Sequence, residues 1–86
     1  MTTLVMKFGG TSVGSPEAIR QAAGIVLEQS HTWDRLIAVV SAMSGVTDAL
    51  TRGALSAASG DEGTYRAIVA DLRVRHYRVV DELLEQ

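Results

Sequence analysis

The single lysine of the sequence, Lys7, stands where a phosphate group could be bound. It lies at the end of a short apolar run beside a Gly9-Gly10 pair, whereas every other basic residue except histidine is an arginine. A lysine ammonium is a compact charge that can meet a phosphate oxygen, and glycines let backbone N–H groups approach the same anion. From composition alone, an ordinary turn with a solubilising charge is an equally good interpretation.

The glycines after this lysine do not match the common nucleotide-binding motifs. Four residues separate Gly9 from Gly14, as in a P-loop, but Ser15 stands where that motif requires lysine. The dinucleotide pattern G-x-G-x-x-G also fails, because its second glycine would fall at Thr11 or Ser12. A phosphate site here must therefore be of another kind.

Two short aliphatic runs are expected to position these groups. Residues 4–8 and 36–40 are each predicted to form a buried strand, because each run is short, apolar and followed by small residues. Between them, Ser15-Pro16-Glu17 predicts a helix start, with a capping hydroxyl, a proline suited to the first turn and an acid near the dipole's positive end. The apolar periodicity of this helix ends around residues 29–30.

Strand, helix and strand in this order predict a right-handed crossover between parallel strands. Both small-residue turns then lie at the carboxyl edge of the sheet, where ligands of open α/β sheets bind. A second helix is predicted from about Ser44 to Ala57, a polar connection over residues 56–63, and a long third helix from about Thr64 onward. The predicted fold class is α/β, a βαβαα unit with a parallel sheet.

The third helix is predicted to carry one continuous apolar stripe with the charged residues largely outside it. The stripe comprises Tyr65, Ile68, Val69, Leu72, His76, Val79, Val80, Leu83 and Leu84, and the charged set is Arg66, Arg73, Arg75, Asp81 and Glu85. A histidine on such a stripe is more often a packed core residue than a ligand, so His76 is assigned no chemistry.

Composition argues against several classes of function. A formal net charge of -2, with no aromatic residues interleaved among arginines, does not suit nucleic-acid binding. The absence of cysteine and the separation of the two histidines argue against disulfides and a local zinc motif. The N-terminal apolar run is too short for a signal peptide or a membrane span, so no membrane partner and a cytoplasmic location are expected.

Two motifs resemble those of the aspartokinase family. Residues 7–13 read KFGGTSV, which matches the family's N-terminal signature without a mismatch. Residues 39–48, VVSAMSGVTD, resemble the second motif, in which a strand ends in serine and a glycine precedes a helix-opening threonine. The resemblance covers essentially the whole chain and implies part of the three-layer αβα amino-acid-kinase fold.

This resemblance implies transfer of the ATP γ-phosphate to the side-chain carboxylate of L-aspartate, the first step toward lysine, threonine and methionine. It makes Lys7 the catalytic residue, neutralising charge on the transferring phosphoryl group. Mg²⁺ is expected to arrive with the nucleotide, since no metal ligands are evident in the sequence. The implied ATP-binding residues are Lys7, Phe8, Gly9, Gly10, Thr11 and Ser12, and the implied aspartate-binding residues are Ser41 and Thr47. Helix capping remains an alternative for the last two hydroxyls.

Aspartokinases are several times longer than this sequence. The resemblance therefore implies that residues 1–86 are the N-terminal portion of a catalytic domain, without the rest of that domain or the regulatory ACT domains. Alone, the chain is expected to be inactive, and its open sheet edges should favour homo-oligomers or association with the remaining part.

Three questions remain open after the sequence alone. A non-catalytic interaction module built on the kinase fold is one alternative to an enzyme. Another amino-acid kinase, acting on glutamate, carbamate or a nucleotide, is a second, although KFGGTSV together with residues 41–47 argues against it. Whether the parent is fused to a homoserine dehydrogenase is not determined by this segment.

Overall fold

The computed structural model describes residues 1–84, which form two strands and three helices. These are β1 (Thr3–Phe8), α1 (Pro16–Ser30), β2 (Arg35–Val40), α2 (Val46–Ala58) and α3 (Glu62–Leu84). The predicted α/β class and the βαβαα order are confirmed. The chain divides into two compact units, Met1–Ser44 and Gly45–Gln86. Glu85, predicted to lie beside the apolar stripe, is outside the described residues.

In the first unit, β1 and β2 pair in parallel, as predicted. Thr3 lies opposite Arg35, and the register continues to Phe8 opposite Val40. The carboxylate of Asp34 accepts a hydrogen bond of 2.8 Å from the backbone N–H of Thr2, which joins the two strand starts. Each strand begins one residue earlier than the aliphatic pattern predicted, and both end where it predicted.

The core of this unit lies between the sheet and α1. Phe8, Val13 and Ala22 are buried, and Met6, Ile19 and Val26 pack against them. Alternate residues of a strand point to opposite faces, and the other face of this sheet carries Val5, Ile37 and Val39, which are 61%, 51% and 47% exposed. The prediction of two buried strands is therefore wrong in part, because one face of the sheet is exposed and Val40, on the face toward α1, is also 62% exposed.

Helix α1 begins as its local sequence predicted. Ser15 is the N-cap residue, and its hydroxyl accepts a hydrogen bond of 3.1 Å from the backbone N–H of Ala18. Pro16 is the first helical residue and Glu17 lies in the first turn. The helix ends at Ser30, also as predicted.

In the second unit, α2 begins at Val46 instead of near Ser44. Its N-cap residue is Gly45, which has φ 83° and makes no side-chain capping bond. A left-handed backbone is strained for residues with a Cβ, so glycine suits this position. The connection to α3 covers only residues 59–61, so the predicted loop over 56–63 is wrong.

The apolar stripe of α3 is narrower than predicted. Val69, Val80 and Leu84 were predicted to lie on the stripe but are 50%, 45% and 70% exposed. The residues of α3 that are buried or half-buried recur with helical spacing, and one of them is Arg75. His76 is exposed, and its Nδ1 lies 2.6 Å from the carbonyl oxygen of Leu72. The observed stripe is Tyr65, Ile68, Leu72, Arg75, Val79 and Leu83. No helix within residues 1–84 combines the length and apolarity needed to cross a membrane.

Helix α3 begins at Glu62, before the predicted start near Thr64, because Asp61 caps it. Its carboxylate accepts hydrogen bonds from the Thr64 hydroxyl at 2.6 Å and the Thr64 backbone N–H at 3.2 Å. These two bonds, the hydroxyl bond first, lower the pKa of Asp61 from its ordinary value of 3.8. They favour the ionised carboxylate, so the cap is fully present above pH 3.8 and is lost as the pH falls below that value.

We expect Asp61→Ala to speed amide hydrogen exchange in the first turn of α3 several-fold at pH 7, because the capping acceptor is removed. The difference from wild type should shrink as the pH falls below 3.8. Asp71→Ala, at an exposed position within α3, is the matched control. Equal exchange in the Asp61 and Asp71 variants at pH 7 would contradict the capping role.

Candidate functional site

Lys7 lies at the carboxyl end of β1, one residue before the strand ends and opposite Val39 of β2. Its side chain is exposed, on the uncovered face of the sheet that also carries Val5. Within residues 1–84 it makes no ion pair and no side-chain hydrogen bond. The Lys7 ammonium therefore has no partner within this range and could bind an anionic ligand.

The segment after β1 is a tight turn with little side-chain bulk. The backbone N–H of Ser12 donates to the carbonyl oxygen of Gly9 at 3.0 Å, and that of Gly14 donates to Thr11 at 3.4 Å. Gly9, Thr11 and Ser12 are exposed, while Val13 is buried and anchors the turn to the core. The exposed residues predicted to bind phosphate thus lie together directly after Lys7.

Two backbone N–H groups of this turn are available to a ligand. Those of Gly10 and Thr11 form no hydrogen bond with any residue in the described range 1–84. Successive free N–H groups beside a cationic side chain can bind an anion. The N-terminus of α1 is less suited to bind an anion, because Ser15 already caps it and Glu17 adds negative charge to its first turn.

Phe8 was predicted to bind ATP, but its side chain belongs to the core. It is only 9% exposed and packs with Val13 and Ala22. Its carbonyl oxygen accepts a hydrogen bond of 3.0 Å from the backbone N–H of Ser41. Phe8 therefore joins the ends of the two strands, and it also lines the hollow beside α1.

That hollow lies in the first unit, between the turn and α1. Its lining combines residues with hydroxyl and amide groups and residues with apolar side chains. Its lining residues are Phe8, Thr11, Ser12, Ala18, Gln21, Ala22 and Ile25. No three His, Asp or Glu side chains within residues 1–84 are grouped so that they could hold a metal ion.

The turn after β2 contacts the glycine turn through Ser44. Its hydroxyl donates to the carbonyl oxygen of Gly10 at 2.9 Å, across 34 positions of sequence. A methyl group built on Gly14 would lie 2.8 Å from the Ser44 Oγ and 3.1 Å from the Gly10 oxygen. Only glycine at position 14 permits this approach. From the sequence, Ser44 was expected only near the start of the second helix, and this contact was not predicted.

The two predicted aspartate-binding residues lie in different units. Ser41 directly follows β2, where its backbone is held by Phe8, and its side chain is exposed. Thr47 is the second residue of α2 and is also exposed. Among the described residues, neither hydroxyl bonds a backbone N–H, so the capping alternative is not seen. Their role toward a substrate remains a prediction.

Comparison with known proteins identifies the family. The model of the Amino acid kinase family matches residues 2–84. The aspartate kinase of Pseudomonas fluorescens is 50% identical over 62 residues, which are 72% of this chain and 15% of that protein. The chloroplastic bifunctional aspartokinase/homoserine dehydrogenase 2 of Zea mays is 38% identical over 81 residues, 94% of this chain and 8% of that protein.

The aspartokinase of Geobacillus stearothermophilus is 48% identical over 50 residues, which are 58% of this chain and 12% of that protein. The chain therefore spans between 8% and 15% of the length of these relatives. The resemblance to the N-terminal part of aspartokinases, predicted from the two turns, is confirmed. This chain belongs to the amino acid kinase family.

Proposed function

We propose that this chain is the N-terminal portion of the catalytic domain of an aspartate kinase and carries its phosphate-binding turn. The observation that carries the proposal is the exposed Lys7 directly before a turn whose Gly10 and Thr11 N–H groups have no partner within residues 1–84. The three relatives described above are named for aspartate kinase activity, which favours aspartate over glutamate, carbamate or a nucleotide as phosphoryl acceptor.

In the proposed reaction, a side-chain carboxylate oxygen of L-aspartate attacks the γ-phosphorus of ATP. The new O–P bond forms while the bond from the γ-phosphorus to the β,γ-bridging oxygen breaks, giving 4-phospho-L-aspartate and ADP. Such transfers depend mainly on positioning and on stabilising charge that moves onto phosphate oxygens. This is the first step toward lysine, threonine and methionine, and a cytoplasmic location remains part of the proposal.

Each group of the turn has a role that fits its chemistry. The Lys7 ammonium neutralises charge on the transferring phosphoryl group, and the free N–H groups of Gly10 and Thr11 donate to phosphate oxygens. Ser12 and Thr11 line the hollow beside α1, and their hydroxyls are further donors. Mg²⁺, which binds ATP phosphates, supplies additional charge neutralisation when it accompanies the nucleotide.

Ser41 and Thr47 are proposed to orient L-aspartate by hydrogen bonding. Both hydroxyls are exposed and make no hydrogen bond to a backbone N–H within residues 1–84. Since the chain spans at most 15% of the relatives described, further substrate-binding groups are expected in regions of the relatives beyond the matched part. We accordingly propose that residues 1–86 alone do not catalyse the reaction.

We expect Ser41→Ala in the intact natural protein to lower kcat/KM for L-aspartate about 10- to 100-fold, the loss associated with a hydrogen bond to a charged group. KM for Mg-ATP should change by less than about twofold, because the hydroxyl is placed on the acceptor side. Steady-state kinetics with each substrate varied in turn measures both values. Thr47→Ala should act in the same direction.

The control for this experiment is Ser30→Ala, which removes an exposed hydroxyl whose hydrogen bond within residues 1–84 is to the local Leu27 carbonyl at 2.6 Å. Its kinetics should match those of wild type. If Ser41→Ala leaves kcat/KM for L-aspartate unchanged, Ser41 does not bind the acceptor. If wild type phosphorylates L-glutamate and not L-aspartate, the acceptor itself is wrong.

A non-catalytic interaction module remains a second candidate because one face of the sheet is exposed and carries three apolar side chains. Val5, Ile37 and Val39 lie on that face together with Lys7. Light scattering on the purified intact protein, together with the kinase assay, separates the two candidates. A defined complex with no phosphoryl transfer would favour the module, and turnover with L-aspartate would exclude a purely non-catalytic role.

A further inference from the structure

A hydroxyl that touches neither proposed substrate controls the geometry of the phosphate-binding turn. Ser44 Oγ donates to the Gly10 carbonyl oxygen at 2.9 Å. The Ser44 hydroxyl can reach this carbonyl because residue 14 is a glycine. A methyl group there would lie 2.8 Å from the same Oγ, which is too close. The contact thus depends on two side-chain choices, a serine and a glycine, that are 30 positions apart in the sequence.

The contact between Ser44 and the Gly10 carbonyl also fixes the direction of the Thr11 N–H, because the carbonyl and this N–H belong to the same peptide group. The described residues contain no cis peptide bond, and in a trans peptide the C=O and N–H bonds point in opposite directions. With its carbonyl held at Ser44, this peptide must direct the Thr11 N–H away from Ser44. Thr11 is exposed and its N–H has no partner within residues 1–84.

The hydrogen bond from Ser44 also makes the Thr11 N–H a better donor. A peptide whose carbonyl accepts a hydrogen bond is polarised, and its N–H becomes a better donor. Lys7 lies four residues before Thr11 at the same end of the sheet. A polarised, oriented N–H close in sequence to a free ammonium is suited to a phosphate oxygen.

We infer that Ser44 is a positioning residue of the nucleotide site, which holds the Gly10–Thr11 peptide so that the Thr11 N–H donates to a phosphate oxygen of ATP. The inference rests on the proposed function, because it assigns to this turn a nucleotide as ligand. In this role Ser44 contacts neither ATP nor aspartate. Its loss should weaken nucleotide binding without altering the chemical step.

The test is Ser44→Ala in the intact natural protein, with kinetics and isothermal titration of Mg-ADP. KM for Mg-ATP and Kd for Mg-ADP should rise about 5- to 20-fold, part of the effect of losing one hydrogen bond to a charged group. The value of kcat should stay within about twofold, because binding lost equally from ground and transition states raises KM alone.

Two further variants separate positioning from general stability. Ser59→Ala removes another exposed hydroxyl that donates to a backbone carbonyl, that of Ser56 at 3.0 Å, and should leave KM unchanged. Ser44→Thr retains the hydroxyl and should restore KM to within about twofold of wild type. A merely structural loss would reduce the folded, active fraction and therefore kcat, without changing KM.

An unchanged KM and Kd in Ser44→Ala would overturn the inference, as would a fall in kcat at constant KM or a Ser44→Thr variant that behaves like Ser44→Ala. Lys7→Ala, assayed in parallel, distinguishes this failure from failure of the proposed function. If Lys7→Ala loses activity while Ser44→Ala does not change KM, only the inference fails. If wild type neither binds Mg-ADP nor transfers phosphate, both fail.

Discussion

Replacing Lys7 by alanine in the intact protein is expected to lower kcat about 10²- to 10³-fold, the effect of removing one preorganised charge-stabilising donor. The thermal midpoint should stay unchanged, because the side chain is exposed and forms no ion pair or hydrogen bond within residues 1–84. In the proposed role, the ammonium acts chiefly when charge moves onto the transferring phosphoryl group. Steady-state kinetics and differential scanning calorimetry on the same preparations measure both quantities.

Two variants serve as controls for the Lys7 prediction. Arg35→Ala removes an exposed cation from the start of β2, the opposite end of the same sheet, and should leave kcat unchanged. Lys7→Arg keeps the charge but replaces a compact ammonium by a planar fork, so we expect only partial activity. Full turnover by Lys7→Ala would remove Lys7 from the mechanism, and a large fall in the thermal midpoint would assign it a structural role.

The second large effect is expected at Gly9. A Cβ built on this residue has no atom within 4 Å, so Gly9→Ala should leave the thermal midpoint essentially unchanged. A nucleotide phosphate that approaches the backbone here would meet the added methyl group. We expect the Kd for Mg-ADP to rise about 10- to 100-fold, as when a hydrogen bond to a charged group is lost.

Gly24→Ala is the matched control for Gly9→Ala, because a Cβ at Gly24 also has no atom within 4 Å. Gly24 lies in α1, where alanine is the better helix former, so its substitution should not lower stability. Isothermal titration should give wild-type affinity for this variant. Wild-type affinity for Gly9→Ala as well would show that the nucleotide does not approach the backbone at this position.

The elements of the first unit follow from local sequence signals. Helix α1 begins where Ser15 and Pro16 predicted, because a capping hydroxyl and a proline in the first turn both act within a few residues. The strands match their aliphatic runs to within one residue. The parallel pairing follows from the strand–helix–strand order, since antiparallel neighbours need only a short hairpin connection.

The sequence predictions failed where two local signals competed, or where a contact between residues far apart in the sequence decided the structure. The polar residues 56–63 predicted a loop, yet Asp61 caps α3 and shortens the connection to three residues, 59–61. The second helix was predicted to begin near Ser44, but Gly45 in a left-handed conformation is its N-cap residue. The hydroxyl of Ser44 is used instead by Gly10, 34 positions away, a contact that local patterns do not encode.

The sequence predicted where some residues of the candidate site lie, but not the burial of Phe8. Residue chemistry placed Lys7 and the glycines at the carboxyl edge of the sheet, but composition alone did not separate a phosphate site from an ordinary turn. The resemblance carried by residues 7–13 and 39–48 favoured the site. The family comparison confirms the family, and the site residues stay a prediction. Burial of Phe8 was not foreseen, because a phenylalanine at a strand end suits either the core or a ligand contact.

We propose that Lys7 and its turn serve phosphoryl transfer to aspartate. The decisive experiment incubates the intact protein with Mg-ATP, L-aspartate and hydroxylamine, which traps an acyl phosphate as the stable hydroxamate. We expect aspartyl hydroxamate from wild type, about 10²- to 10³-fold less from Lys7→Ala, and none above background with L-glutamate. Absence of hydroxamate from wild type, or equal rates from wild type and Lys7→Ala, would contradict it.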